Sequence, residues 1–269
     1  MEERLKLTKA STATKMDATL YRSIVGGLRY LVHMRPDIAF AVGYVSRFME
    51  DPREDHWVAV KRLLCYVKGT VDHGIIFPKI GESRLQLTAF NDVDMAGDID
   101  GQQSTSGVLV FLGSAPISWM SLKQKVVVLS TCEAEYVAEA TAACQVVWLH
   151  RLLGELTGVE AHPPALMVDN QPAIALAKNP VLHDQSKHID MKFLFLRDCV
   201  DGGQIVIEFV ETGRQLADVL TKPLGRLRLT ELKKMIDMDR VIGLAAGLGE
   251  ELLSNLLLPS VKARQRKAV

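Results

Sequence analysis

Cysteine is scarce in this chain of 269 residues, and long hydrophobic runs are missing. The four cysteines form no C-x-x-C pair, and the charged amino terminus contains no apolar segment of the kind that directs secretion. We therefore expect a reducing intracellular environment, cytoplasmic or nuclear, in which the thiols stay unpaired. The stretch 241–258 is too short and too interrupted by charge to cross a bilayer, which predicts that the chain has no membrane partner.

A net charge is also absent, because 32 basic and 32 acidic residues cancel at pH 7. This total results from an uneven distribution: acidic residues outnumber basic ones two to one between residues 82 and 218, while both flanks are basic. Nucleic-acid binders are expected to carry basic patches, which here lie on the flanks or in local clusters such as Lys123 and Lys125. The acidic middle suits divalent cations better, although a solvated acidic surface accounts for most of its charges.

Hydrophobic spacing divides the chain into four segments. Residues 1–18 are polar and predicted to be poorly ordered, and residues 19–80 have the three- and four-residue spacing of helices interrupted by prolines. Residues 81–224 alternate strands with helices, which predicts an α/β fold preceded by a small helical subdomain. Residues 225–269 change character and are predicted to be a divergent tail, for which a loose extension is favoured over a phosphate-contacting arm.

Four acids in the α/β segment are candidates for one shared metal site. Asp92 directly follows the first predicted strand, Glu135 lies one turn into the central helix, Asp169 ends the fourth strand, and Asp218 sits on the last helix. Taken alone, each of these acids is best interpreted as an ordinary surface residue. Together they are expected to converge, because neighbouring strands of an α/β sheet open onto one crevice at their carboxyl ends. Carboxylates bind Mg²⁺ or Mn²⁺, and four of them offset two such ions, which can hydrolyse a phosphodiester.

The acids next to these candidates have structural interpretations. A capping box that opens at Ser130 predicts that Glu133 caps the start of the central helix, which leaves Glu135 as the metal ligand. Asp94 lies where the chain turns and is interpreted as a turn-former. A calcium loop is excluded because Ala96 replaces the acid or amide that such a loop requires.

Several motifs follow one another in a fixed order through the α/β segment. They are DVDMAGD at 92–98, STSG at 104–107, ISW at 117–119, LSTCEAEY at 129–136, VDNQ at 168–171, KHID at 187–190 and LADVLTKPL at 216–224. These motifs resemble the ribonuclease H region of copia-type retrotransposon Pol polyproteins. Residues 20–78 resemble the segment that precedes it there, at the end of the reverse transcriptase.

The resemblance implies a ribonuclease H-like fold, a mixed five-stranded sheet flanked by helices, that cleaves the RNA strand of RNA–DNA hybrids. It implies two Mg²⁺ or Mn²⁺ ions held by catalytic acids that coincide with the four chosen above. In the wider family the Gln of D-x-Q contacts the RNA strand, where the ribose 2′-hydroxyl distinguishes RNA from DNA. The candidates for substrate binding are Gln171, Asn170 and His188. For His188 the start of a helix is the favoured interpretation, with contact to a phosphate as the alternative.

The sequence also departs from the family pattern. Met95 stands where a Trp is usual, and residues 211–217 lack the His that many ribonucleases H place before the last acid. No Y-x-D-D polymerase motif is present, so a reverse transcriptase portion would be a separate partner, and the tail suggests a truncated or re-spliced genomic copy. Two functions therefore stay open. One is an active metal-dependent ribonuclease H, and the other is a catalytically silent nucleic-acid-binding or relic module of the same fold.

Overall fold

The computed structural model describes residues 5–77, 85–158, 162–178 and 187–241, with side chains for all of these except 187–191 and 193. Two compact units make up the chain: unit 1 consists of Met1–Ile76 and Pro223–Val269, and unit 2 of Phe77–Lys222. In chain order the helices and strands within the described ranges are α1 (Ala18–Leu31), α2 (Ala39–Ser46), α3 (Glu54–Gly69), β1 (His73–Ile75), β2 (Leu87–Asp94), β3 (Thr105–Leu112), β4 (Ala115–Lys123), α4 (Thr131–Thr157), β5 (Ala165–Val168), α5 (Gln171–Lys178), α6 (Lys187–Asp201), β6 (Val206–Phe209), α7 (Arg226–Met235) and β7 (Met238–Arg240).

Unit 2 is built on a five-stranded sheet with the strand order β4-β3-β2-β5-β6. β3 pairs antiparallel with both β2 and β4, whereas β5 runs parallel to β2 and β6 runs parallel to β5. α4 packs against β2 and β3, and α5 and α6 pack against α4. The predicted mixed five-stranded sheet flanked by helices is therefore confirmed.

The long helix α4 lies close to the sheet because the face that it buries is rich in alanine. Tyr136 and Ala140 of this face pack in one cluster with Leu87 and Ala89 of β2. The helix begins after Ser130, whose hydroxyl accepts a hydrogen bond from the backbone N–H of Glu133 at 3.2 Å. Because α4 packs closely on the sheet, the side chains in its first turns are held at a fixed distance from β2. Neither α4 nor another helix in the described part of the chain is long and apolar enough to span a membrane.

A glycine in β3 allows the segment that carries Asp218 to approach the sheet. Asp218 belongs to the 3₁₀ helix Leu216–Leu220, which packs against β2 and β3. A β-carbon added at Gly107 would lie only 2.8 Å from Cβ of Leu220, closer than real side chains tolerate. Gly107 pairs with Asp92 across the β2–β3 ladder, so this close approach brings the 3₁₀ helix over the strand pair that contains Asp92.

Two local predictions were wrong. β2 continues to Asp94 because β3 pairs with it along its whole length, so Asp92 lies inside the strand rather than after it. The helix predicted around Asp218 is present and is a 3₁₀ helix. The segment 1–18 was predicted to be poorly ordered, but its described part, residues 5–18, packs within unit 1, where Leu7 is buried and its backbone N–H donates to the Tyr44 hydroxyl at 2.9 Å.

The part of the predicted tail that the structure describes is folded. α7 is followed by β7, which pairs antiparallel with β1 so that Met238 lies opposite Ile75. Leu232, Ile236 and Met238 are fully buried, which explains why this short helix and strand pack as part of unit 1. The prediction of a loose extension was wrong up to residue 240, and residues 242–269 lie outside the described ranges.

Unit 1 contains a buried network of charged and polar side chains. Arg35 donates from Nε and Nη2 to the two carboxylate oxygens of Asp37, at 2.9 and 2.8 Å, and the Tyr66 hydroxyl donates to the same carboxylate at 2.6 Å. Lys233 of α7 places its Nζ 3.9 Å from that carboxylate. Burial alone would raise the pKa of Asp37, but Arg35 and Tyr66 hold this pKa below its ordinary value. Asp37 therefore stays ionised although its side chain has no exposed surface.

Candidate active site

Three carboxylates from three different elements meet on the sheet of unit 2. One carboxylate oxygen from each of Asp92, Glu135 and Asp169 lies within 4.8 Å of the others. Asp92 stands on β2, Asp169 follows the parallel neighbour β5, and Glu135 comes from the second turn of α4, which packs against β2. Asp92 and Glu135 are buried and Asp169 is half-buried. We call these residues the three-carboxylate cluster.

Asp218, the fourth acid chosen from the sequence, lies beside this cluster and is not a member of it. Lys222 bridges the gap, with its Nζ 2.8 Å from Oδ1 of Asp218 and 3.3 Å from Oδ2 of Asp92. The Thr221 hydroxyl donates to the same Oδ2 of Asp92. Burial alone would lower the pKa of Lys222, but the two carboxylates raise it above its ordinary value, so the side chain stays positively charged. In the sequence Lys222 is only one residue of the LADVLTKPL motif, and nothing there indicates this contact.

The cluster fits a divalent cation. Burial, followed by the charges of Asp92 and Asp169, raises the pKa of Glu135 to about 9, and burial raises the pKa of Asp92 to about 6. The buried Oε2 of Glu135 has no hydrogen-bond partner. A buried carboxylate oxygen without a partner is unfavourable, and a cation shared by the three acids would supply that partner. Oxygen ligands of this kind suit Mg²⁺ or Mn²⁺, while the identity and the number of ions stay predictions.

Glu133, two residues before Glu135, has a different environment. Its Oε2 accepts a hydrogen bond from the backbone N–H of Leu129 at 2.8 Å. The capping box predicted a bond to the N–H of Ser130, so the carboxylate reaches one residue further than expected. Glu133 thus contacts the backbone at the start of α4, whereas Glu135 joins the three-carboxylate cluster.

The residues predicted to bind substrate lie near Asp169 or on α6. Asn170 accepts a hydrogen bond from the backbone N–H of Ala173 at 3.0 Å, which caps the start of α5. Gln171 is exposed at the first position of α5. His188 belongs to α6, but its side chain lies outside the described residues. The substrate-binding roles of these three residues stay predictions.

Glu139 is a buried acid that the sequence analysis did not single out. It lies one turn after Glu135 on α4, has no exposed surface, and neither of its carboxylate oxygens has a hydrogen-bond partner. Burial raises the pKa of Glu139 to about 8. The available signal was the spacing of four residues from Glu135, because residues at this spacing share one face of a helix.

We expect Glu139→Gln to weaken the pH dependence of stability in the ion-free protein. Glu139 ionises near pH 8 in the folded chain and near its ordinary value of 4.5 in the unfolded chain. Between these values folding takes up a proton, so the stability contribution is present at low pH and is lost as the pH rises. The slope is at most about 1.4 kcal/mol per pH unit for this proton.

Urea unfolding in a chelator, at several pH values between 5 and 8, measures this slope. The free energy of unfolding should fall more steeply with pH in the wild type than in Glu139→Gln. Glu155→Gln, at an exposed position of the same helix, is the matched control and should keep the wild-type slope. A common slope for all three proteins would contradict the raised pKa of Glu139.

A mixed sheet that carries a cluster of three carboxylates defines unit 2 as an α/β protein with a candidate metal centre. No family model matches the chain. Among solved structures it is similar to the N-terminal RNase H domain of Rv2228c from Mycobacterium tuberculosis, solved as a fusion with maltose-binding protein. That match covers 56% of this chain and 97% of the other, at 12% identity and a TM-score of 0.37.

Curated relatives are more similar in sequence. The retrovirus-related Pol polyprotein from transposon RE2 of Arabidopsis thaliana is 44% identical over 236 residues, which is 88% of this chain and 16% of that polyprotein. The one from transposon TNT 1-94 of Nicotiana tabacum is 40% identical over 241 residues, covering 87% of this chain and 18% of the relative. The chain belongs to the family of copia-type retrotransposon Pol polyproteins, which confirms the resemblance in its motifs. It spans less than a fifth of the length of these relatives.

Proposed function

We propose that unit 2 is a metal-dependent ribonuclease H that hydrolyses the RNA strand of RNA–DNA hybrids. The observation that carries this proposal is the convergence of one oxygen each from Asp92, Glu135 and Asp169 within 4.8 Å. When bound there, Mg²⁺ or Mn²⁺ would activate a water and stabilise the departing oxygen of a phosphodiester. The family supports the choice of substrate, because a polyprotein that copies RNA into DNA produces RNA–DNA hybrids, and its polymerase portion is the proposed partner.

The side chains around the cluster position its acids and select the substrate. The Thr221 hydroxyl and the Lys222 ammonium hold Oδ2 of Asp92 in place. Gln171 follows Asp169 by two residues and is exposed, so it is available to a bound strand. Its amide both donates and accepts hydrogen bonds, which matches a ribose 2′-hydroxyl and not the hydrogen that DNA carries there. The arrangement therefore supports the proposed preference for RNA next to the acids.

Incubation of the purified chain with an end-labelled RNA–DNA hybrid and Mg²⁺ tests the proposal. We expect cleavage of the RNA strand, none of a DNA duplex, and a loss of at least about 100-fold in rate for Asp169→Asn, since metal-held charge stabilisation is worth several kcal/mol. Asp201→Asn, at an exposed position at the end of α6, is the control and should keep the wild-type rate.

Cleavage that survives Asp169→Asn would remove the catalytic role of the cluster. Hybrid binding that weakens with salt but is not followed by hydrolysis would instead support the catalytically silent module. Absence of both binding and cleavage would identify a non-functional remnant.

A further inference from the structure

We propose that Lys222 takes the place of a second metal ion, so that the candidate active site binds one divalent cation and not the two expected from four acids. This inference rests on the proposed function, because it concerns the number of ions at the same site. It assigns Lys222 the role of a positioning residue that keeps Asp92 and Asp218 together.

The ammonium group of Lys222 lies where a second ion would have to bind. Nζ of Lys222 lies 2.8 Å from Oδ1 of Asp218 and 3.3 Å from Oδ2 of Asp92, between the two acids that a second ion would have to share. A second ion held by both acids would need the space between these two oxygens, which the Lys222 nitrogen fills. The ammonium group and a second ion therefore compete for one position.

Hydrogen bonds already engage the oxygen of Asp92 that a second ion would need. Two ions at an active site lie roughly 4 Å apart, and a carboxylate between them binds one ion with each oxygen. Oδ2 of Asp92 already receives the Thr221 hydroxyl and the Lys222 ammonium. The three-carboxylate cluster uses only one oxygen from each acid, so a single ion there needs one oxygen of Asp92, whereas two ions would need both.

The balance of charges at the site also favours a single ion. One divalent ion together with Lys222 brings three positive charges to the four carboxylates of Asp92, Glu135, Asp169 and Asp218. A further divalent ion would lie within a few ångströms of the ammonium group, where like charges repel strongly in a partly buried site. Removing the charge of Lys222 should therefore allow the second ion to bind.

Calorimetric titration of the full chain with Mn²⁺, without substrate, tests this inference. We expect the wild type to bind one ion per chain and Lys222→Met to bind two. Electron paramagnetic resonance supplies a second readout, since two Mn²⁺ ions about 4 Å apart give an exchange-coupled spectrum that an isolated ion does not. The Lys222 side chain is 36% exposed, so its replacement leaves no cavity in the core. Lys222→Gln provides a second neutral variant with the same expected count.

Two controls separate the position of the charge from its mere loss. Lys222→Arg keeps a cation between Asp92 and Asp218 and should bind one Mn²⁺. Lys123→Met removes a lysine that pairs with Asp98 at 2.6 Å, outside the three-carboxylate cluster, and should also bind one. A wild type that binds two ions, or neutral variants that bind one ion with an isolated-ion spectrum, would overturn the inference.

The same experiment separates this inference from the proposed activity. If the wild type binds one Mn²⁺, the neutral variants bind two, and no hybrid is cleaved, the role of Lys222 stands and the proposed function falls. If the wild type binds two ions and cleaves hybrids, the proposed function stands and the role of Lys222 falls. Absence of Mn²⁺ binding in every variant would remove both.

Discussion

Glu135→Gln is expected to lower the rate of RNA–DNA hybrid cleavage at least about 100-fold, whereas Glu133→Gln should leave it within about twofold of the wild type. The two acids lie two residues apart at the start of α4 and differ in their contacts. Glu135 is a member of the three-carboxylate cluster, while the carboxylate of Glu133 accepts the backbone N–H of Leu129. An amide in place of Glu135 keeps the volume and removes the charge that would hold the cation.

Single-turnover cleavage of a labelled hybrid at saturating Mg²⁺ measures this difference in the chemical step. Mn²⁺ binding should weaken in Glu135→Gln and stay unchanged in Glu133→Gln. Glu133→Gln should show only a small loss of thermal stability, because an N-terminal cap contributes about 1 kcal/mol. Equal losses of cleavage in the two variants would mean that the start of α4, and not one carboxylate, controls the activity.

Asp37→Asn is expected to destabilise unit 1 by about 3–5 kcal/mol, the cost of breaking a buried ion pair from one side. Arg35 is only 6% exposed and directs two donors at the carboxylate of Asp37, so the substitution leaves a buried charge without its partner. The pKa of Asp37 is lowered, hence its contribution is present above its unfolded value of 3.8 and is lost as the pH falls below it.

Peptide-resolved hydrogen exchange measures this loss in the helices of unit 1, with peptides from residues 131–157 of unit 2 as the internal reference. Protection of α1 and α3 should fall at neutral pH. Asp51→Asn is the matched control, because Asp51 forms an exposed pair with Arg53 at 2.7 Å, and exposed pairs contribute little. If Asp37→Asn and Asp51→Asn behave alike, the buried network has no special role in stability.

Local patterns predicted the elements whose formation depends on their own residues. The alternating run before Asp92, the capping box at Ser130 and the strand that ends at Val168 all appear close to their predicted places. These elements place Asp92, Glu135 and Asp169 on neighbouring strands and the helix beside them. The meeting of three acids could therefore be predicted from the sequence, since it follows from general rules for α/β sheets.

The features that were missed depend on partners far away in the chain. Asp92 lies inside β2 because β3 extends the pairing, which no pattern in residues 85–94 indicates. The network around Asp37 includes Lys233, and Lys222 reaches Asp92 from 130 residues later. A lysine that folds back onto acids looks, in sequence, like any solvated charge. Such contacts arise from tertiary packing and leave no periodic signal.

The pairing of β1 with β7 has a consequence for synthesis on the ribosome. His73 of β1 pairs with Arg240 of β7. The residues of unit 2 form one continuous stretch of the sequence between these two strands. At about 5–20 residues per second, β1 leaves the ribosome roughly 10–30 s before its partner strand exists. Unit 2 can thus be complete while the first part of unit 1 still waits with an unpaired edge. A translational pause after residue 222 would prolong this interval, and the nascent chain would then expose a strand that chaperones recognise or that aggregates.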